Sequence, residues 1–83
     1  MDEVPRVGRK PKPRPGFLDT CDYLGYIHGE RRWRTRDGRY LLTWDSLHDE
    51  IEAYDRLGRH RGVMHAVTGA WIKDSVPGRW IDV

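Results

Sequence analysis

The sequence holds one cysteine among 83 residues and no apolar run near the roughly 18 residues of a membrane span. The lone Cys21 excludes an internal disulfide framework and fits action in a reducing compartment. Nothing resembles the apolar core of a secretory signal, so a soluble domain is expected. His28, His60 and His65 lack metal-ligand spacing with Cys21, and neither zinc nor any other cofactor is expected. A chain this short buries only about 60–65% of the surface it exposes unfolded, so the core must be lean. Four Trp and four Tyr suit that need, because each covers much apolar area from one position. Trp44, Trp71 and Trp80 are read as core or rim anchors, and Cys21 as a small buried residue.

Charge is present in quantity and unevenly placed. Residues 1–39 hold ten Lys/Arg against six Asp/Glu, whereas residues 40–83 hold five against seven. A basic half joined to an acid-bearing half points to a polyanionic partner. Residues 5–16, PRVGRKPKPRPG, carry four prolines and five basic residues without an acid. Alternating proline forbids helix, so residues 1–16 are read as an extended or disordered basic arm and 17–83 as the folded domain. The arm either touches phosphates or merely solubilises.

From Trp33 onward the sequence predicts a mainly β, antiparallel meander. Asp37-Gly38 is a hairpin signal between RRWRT and RYLLTW. Gly58 and Gly69 stand where tight turns need positive φ, RHRGVMHA and AWIKD read as strands, and Pro77-Gly78 ends the last. Residues 17–28 fit either a short helix or a strand.

The stretch TWDSLHDEIEAYD, residues 43–55, gathers five carboxylates around His48. Trp44, Leu47, Ile51 and Tyr54 recur at helical spacing, and on local pattern alone helix is favoured. The alternation of His48, Glu50, Glu52 and Tyr54 against Asp49, Ile51 and Ala53 fits a strand instead. Either period puts His48 and Glu52 on one face. A solvated charged face is the plain explanation of such a cluster; acid–base chemistry is the specific one. Cleavage of RNA by its own 2′-hydroxyl needs a base, an acid and positive charge at the phosphorane, without obligatory metal. Glu52 and His48 are candidates for base and acid. Asp45 is placed to hold the other imidazole nitrogen and keep the ring protonated.

The run Arg32-Trp33, Asp37-Gly38-Arg39, and Trp44-Asp45-Ser46-x-His48-x-Glu50-x-Glu52-x-Tyr54 resembles the ribosome-inactivating ribonuclease domain of cloacin-type colicins. The likeness continues through His60-x-Gly62, Thr68-Gly69 and Pro77-Gly78-Arg79-Trp80-Ile81, spanning residues 31–81. It implies a strongly twisted antiparallel meander after a short N-terminal helix or irregular arm, with strand and bend over Trp44–Tyr54. It also implies a toxin that cuts small-subunit ribosomal RNA at the decoding site in the bacterial cytoplasm. Asp45, His48, Glu52 and Arg79 would be catalytic, with Arg79 stabilising the phosphorane, Tyr54 a stacking or site-wall residue and Glu50 secondary. A cognate acidic immunity protein or antitoxin would be the partner, with no membrane role. The chain would be a stand-alone intracellular toxin or a piece of a larger secreted one.

Departures accompany the likeness. LDTCDYLGYIHGE replaces a lysine- and glycine-rich stretch, and Glu30 stands where a base is expected. Arg31, Arg32, Arg34, Arg36 and Arg39, with Trp33 among them, are therefore the candidate RNA-binding surface. The plainer role for these arginines is a charged strand edge that discourages aggregation. The competing functions are a non-catalytic RNA- or ribosome-binding module and, disfavoured by the histidine spacing, a metal-dependent nuclease.

Overall fold

Turn chemistry sets the architecture. A computed structural model describes residues 11–83, and the part of the expected arm at 1–10 lies outside the described residues. A four-residue 3₁₀ helix, Phe17–Thr20, precedes six strands: β1 (Asp22–Ile27), β2 (Glu30–Arg34), β3 (Leu41–Asp45), β4 (Glu50–Tyr54), β5 (His60–His65) and β6 (Trp71–Asp74). They form one antiparallel sheet in sequence order, the expected meander. No helix among the described residues is long and apolar enough to cross a membrane.

Each connection has its local cause. His28 and Gly29 both have positive φ, 51° and 79°, and make a two-residue loop whose twist matches the strands it joins. This hairpin was not legible in the sequence, because histidine rarely signals a left-handed turn. Asp37 Oδ1 accepts from the Arg39 N–H and the Thr35 hydroxyl, closing the Asp37-Gly38 turn. Asp55 Oδ1 accepts from Leu57 and Arg59 N–H in the β4–β5 turn. Short aspartate side chains supply acceptors that a turn's backbone lacks.

The helix favoured over Trp44–Tyr54 does not form. Trp44 and Ile51 face each other across the β3–β4 hairpin, Leu47 is exposed in the turn, and Tyr54 lies on the opposite face. A 3-4-3 apolar spacing that straddles a bend mimics a helical stripe, and cross-strand pairing overrides it.

The core lies on one face of the sheet. Leu42, Ile51, Ala53, Met64 and Trp33 pack there, with Phe17 and Leu18 of the 3₁₀ helix laid over them. Leu42 and Ile51 are fully buried, each worth roughly 1.5–3 kcal/mol. Gly69 admits Phe17, whose ring would collide with any Cβ at that position. Cys21 is half-buried against this core.

Two residues expected at the RNA-binding surface are buried instead. Trp33 is 3% exposed and Arg32 2% exposed. A 3₁₀ helix and a lean core need Trp33 inside, so its face is not offered to a base.

Candidate active site

The sheet's other face carries the acids. Leu41, Thr43 and Asp45 of β3 stand opposite Tyr54, Glu52 and Glu50 of β4, and directly opposed residues share a face. Asp45, Glu50, Glu52 and Asp55 each have a defined partner and only Asp49 is left to solvent, so a merely solvated face does not describe the cluster.

Asp45 builds the β3–β4 bend and aims the histidine at once. Its Oδ1 accepts from the N–H groups of Leu47 and His48, both at 3.0 Å. Its Oδ2 lies 2.8 Å from His48 Nδ1, leaving Nε2 outward on a side chain 61% exposed. Burial alone pushes the Asp45 carboxyl up, but the His48 imidazole and the two backbone N–H groups outweigh it. The carboxyl is held below its ordinary range. A carboxylate depressed on folding contributes stability above its unfolded value, and that contribution is lost as pH falls through the depressed folded value. Asp45→Asn keeps the turn acceptor and removes the charge, so its thermal midpoint is expected to fall less than wild type's below about pH 4. Parallel acid limbs in pH-dependent melting would remove this role from Asp45.

Glu52 is 5% exposed, and two donors converge on one of its oxygens. His60 Nε2 is 2.8 Å and Arg79 Nη1 3.1 Å from Glu52 Oε1. The Val76 backbone N–H donates to His60 Nδ1 at 2.9 Å, so that nitrogen is the acceptor. The ring is therefore neutral with its proton on Nε2, directed at Glu52. Tyr54 packs edge-on against His60, centroids 5.3 Å apart, and is a wall rather than an exposed stacking surface. Burial pushes its phenol up, with the Arg79 charge opposing.

His60 reaches this face through a bulge. Val63 opposes Glu52, and strict alternation would turn His60, three residues earlier, toward the core. The register instead shifts so that Ala53 opposes Gly62 and Tyr54 opposes His60, with Arg61 as the extra residue. Arg79 arrives from the C-terminal segment, which folds back beside β5. His60 N–H donates to Arg79 O, and Ile81 N–H to Gly58 O. Gly58, at φ 89°, allows this: a Cβ there would strike the Ile81 carbonyl.

Glu50 stands between the two groups, opposite Asp45 and two residues from Glu52, with Lys73 Nζ 2.7 Å away. That bond raises the Lys73 ammonium above its usual range. One ligand atom each from Asp45, His48 and Glu50 lie within 4.8 Å of one another, a spacing a cation could use. The Asp45–His48 contact is itself a direct hydrogen bond, and chelation decides whether the trio takes a metal.

Arg79, Asp45, His48, Glu50, Glu52 and Tyr54 thus share one face, whereas Arg31, Arg36 and Arg39 lie on β2 and its turn. Sequence reasoning passed over His60 and Lys73. For His60 the available signal was its separation of eight from Glu52 across a glycine-bearing turn; for Lys73 there was none.

The sequence model of the Cytotoxic family matches residues 26–82, more than half of the chain. The chain belongs to that family, the cytotoxic domain of cloacin- and colicin-type toxins. No match was found among curated proteins. The cytotoxic domain therefore has a toxin role, and the family generally implies an immunity protein as partner. The matched span contains all four expected catalytic positions and His60.

Proposed function

We propose that this cytotoxic domain is an endoribonuclease that cuts small-subunit ribosomal RNA at the decoding site, in the bacterial cytoplasm, and so stops translation. The observation that carries the reading is the buried Glu52 carboxylate, fixed by neutral His60 and Arg79, on the face that also presents an exposed, Asp45-bound His48. A base oriented by neighbours, a solvent-facing imidazole and a guanidinium are the parts that transesterification needs.

Glu52 Oε1 is occupied by its two donors, so Oε2 takes the proton from the ribose 2′-hydroxyl. The 2′-oxygen attacks phosphorus, and Arg79 meets the charge that gathers on the phosphorane. Protonated His48 gives its Nε2 proton to the departing 5′-oxygen while Asp45 holds Nδ1. The products are a 2′,3′-cyclic phosphate and a free 5′-hydroxyl. An acidic immunity protein would find complementary charge on the arginines that remain exposed.

Primer extension on ribosomes exposed to the domain tests this. One discrete stop that persists in EDTA is expected. Its loss in EDTA would bring a cation to Asp45, His48 and Glu50, and no stop at all would favour a non-catalytic binding module. Substituting 2′-deoxyribose at the scissile nucleotide is expected to abolish cutting; continued cutting would mean a water nucleophile.

A further inference from the structure

Three of the five arginines expected to meet RNA are engaged within the fold, and Arg34 and Arg39 stay exposed. Arg32 is buried, the Arg31 guanidinium lies 5.0 Å from the Trp33 ring centroid, and Arg36 Nε donates to Thr20 O at 2.8 Å. Arg39 joins an open set with arginines of the β4–β5 turn and β5. Arg39, Arg56, Arg59 and Arg61 line a cleft of about 410 Å³ in which Asp55, paired with Arg59, is the sole acid. Beside it lies a second hollow of about 480 Å³, mostly apolar, walled by Val76, Pro77, Arg79 and Trp80. The two share Leu57, Arg59 and Arg61, so they adjoin along those side chains, and Arg79 lines the second.

Trp80 gives the groove its character. It is 65% exposed, yet its backbone is held on both sides: it bridges to Arg59, Arg79 O accepts from His60 N–H, and Ile81 N–H donates to Gly58 O. A large, exposed ring on a held backbone contributes little to the core and offers a stacking surface. Guanidinium groups beside an exposed aromatic face suit a ligand with regularly spaced anions and planar groups.

We infer that this groove is the track for single-stranded RNA flanking the scissile phosphate, with Arg56 and Arg61 on phosphates and a base stacked on Trp80. The inference rests on the reading of Glu52 and Arg79 above, because Arg79 both lines the second hollow and pairs with Glu52. A single strand is required, since bases in a duplex are not free to stack on a side chain. The track also supplies cationic surface on β5 and its preceding turn, where the sequence places three arginines within six residues, 56–61.

The test is a fluorescence anisotropy titration of a labelled, 2′-O-methylated single-stranded oligonucleotide over a series of salt concentrations. Arg56→Ala/Arg61→Ala is expected to flatten the log–log salt dependence by about 1.4, roughly 0.7 for each phosphate no longer neutralised. Trp80→Ala is expected to weaken binding about tenfold to hundredfold with the slope unchanged, and Trp80→Phe to restore most of it. Both sites are exposed, so the variants should fold, which circular dichroism checks. Unchanged affinity and slope in all variants overturns the groove. So does equal dependence of a duplex on the same residues, or an acidic polypeptide that depends on them when the oligonucleotide does not. Ribosome cleavage is scored in parallel. Groove-dependent binding by a wild type that cuts nothing sinks the proposed reaction and leaves the groove standing.

Discussion

Replacing Glu52 by glutamine is expected to lower the rate of ribosomal RNA cleavage by about 10²–10⁴-fold while leaving the domain folded. The substitution is nearly isosteric. An amide oxygen in place of Oε1 still accepts from His60 Nε2 and Arg79 Nη1, so both hydrogen bonds survive. Only the negative charge and the basic oxygen are removed. The fold should tolerate that at a cost of about 1 kcal/mol, the size of a weakened charged hydrogen bond. Initial cleavage rates on intact ribosomes, set beside a thermal melt, decide the matter. Undiminished cutting would remove Glu52 from the chemistry. A rate that falls only in proportion to the folded fraction would make Glu52 a structural acid.

His60→Ala should act first on stability. The histidine has a buried bond to Glu52 and a partly buried one to the Val76 N–H, and its side chain is wholly enclosed. Truncation leaves a partly buried N–H unpaired and a buried carboxylate short of a donor, and opens a cavity, together about 3–5 kcal/mol. A domain of this length has only about 4–12 kcal/mol in all, so urea unfolding should show a large shift of the midpoint. Two further variants separate fold from chemistry. His60→Asn keeps an acceptor where Nδ1 sat and loses the donor to Glu52; His60→Gln does the reverse. Per folded molecule, cleavage should therefore fall more in the asparagine variant. Equal rates would confine His60 to packing.

The meander was legible because its punctuation is chemical and local. Asp37-Gly38, Gly58, Gly69 and Pro77-Gly78 each act through their own backbone preferences, and the strands between them follow. The motif around His48 was legible for a similar reason. An aspartate three residues before a histidine can bond the intervening N–H groups and the imidazole together without help from the rest of the chain. Arg32 and Trp33 were misplaced because a charged run reads as surface until one knows which side of the strand the core needs. The helical spacing of Trp44, Leu47, Ile51 and Tyr54 misled because it counts residues through a bend.

The sequence by itself determined the turns at Asp37-Gly38, Gly58 and Gly69, the antiparallel meander from Trp33 onward and the Asp45–His48 pair, which depend on neighbours within a few positions, and the membership in a toxin family, which rests on a motif spread along the chain. Tertiary structure alone decided that His60 faces Glu52, that the Arg79 guanidinium bonds the same Glu52 oxygen, and that Arg39 opens onto one cleft with arginines that follow β4. A bulge of one residue reverses the face on which a side chain emerges, and a returning tail is placed by hydrogen bonds to distant backbone. Neither effect leaves a periodic trace along the chain.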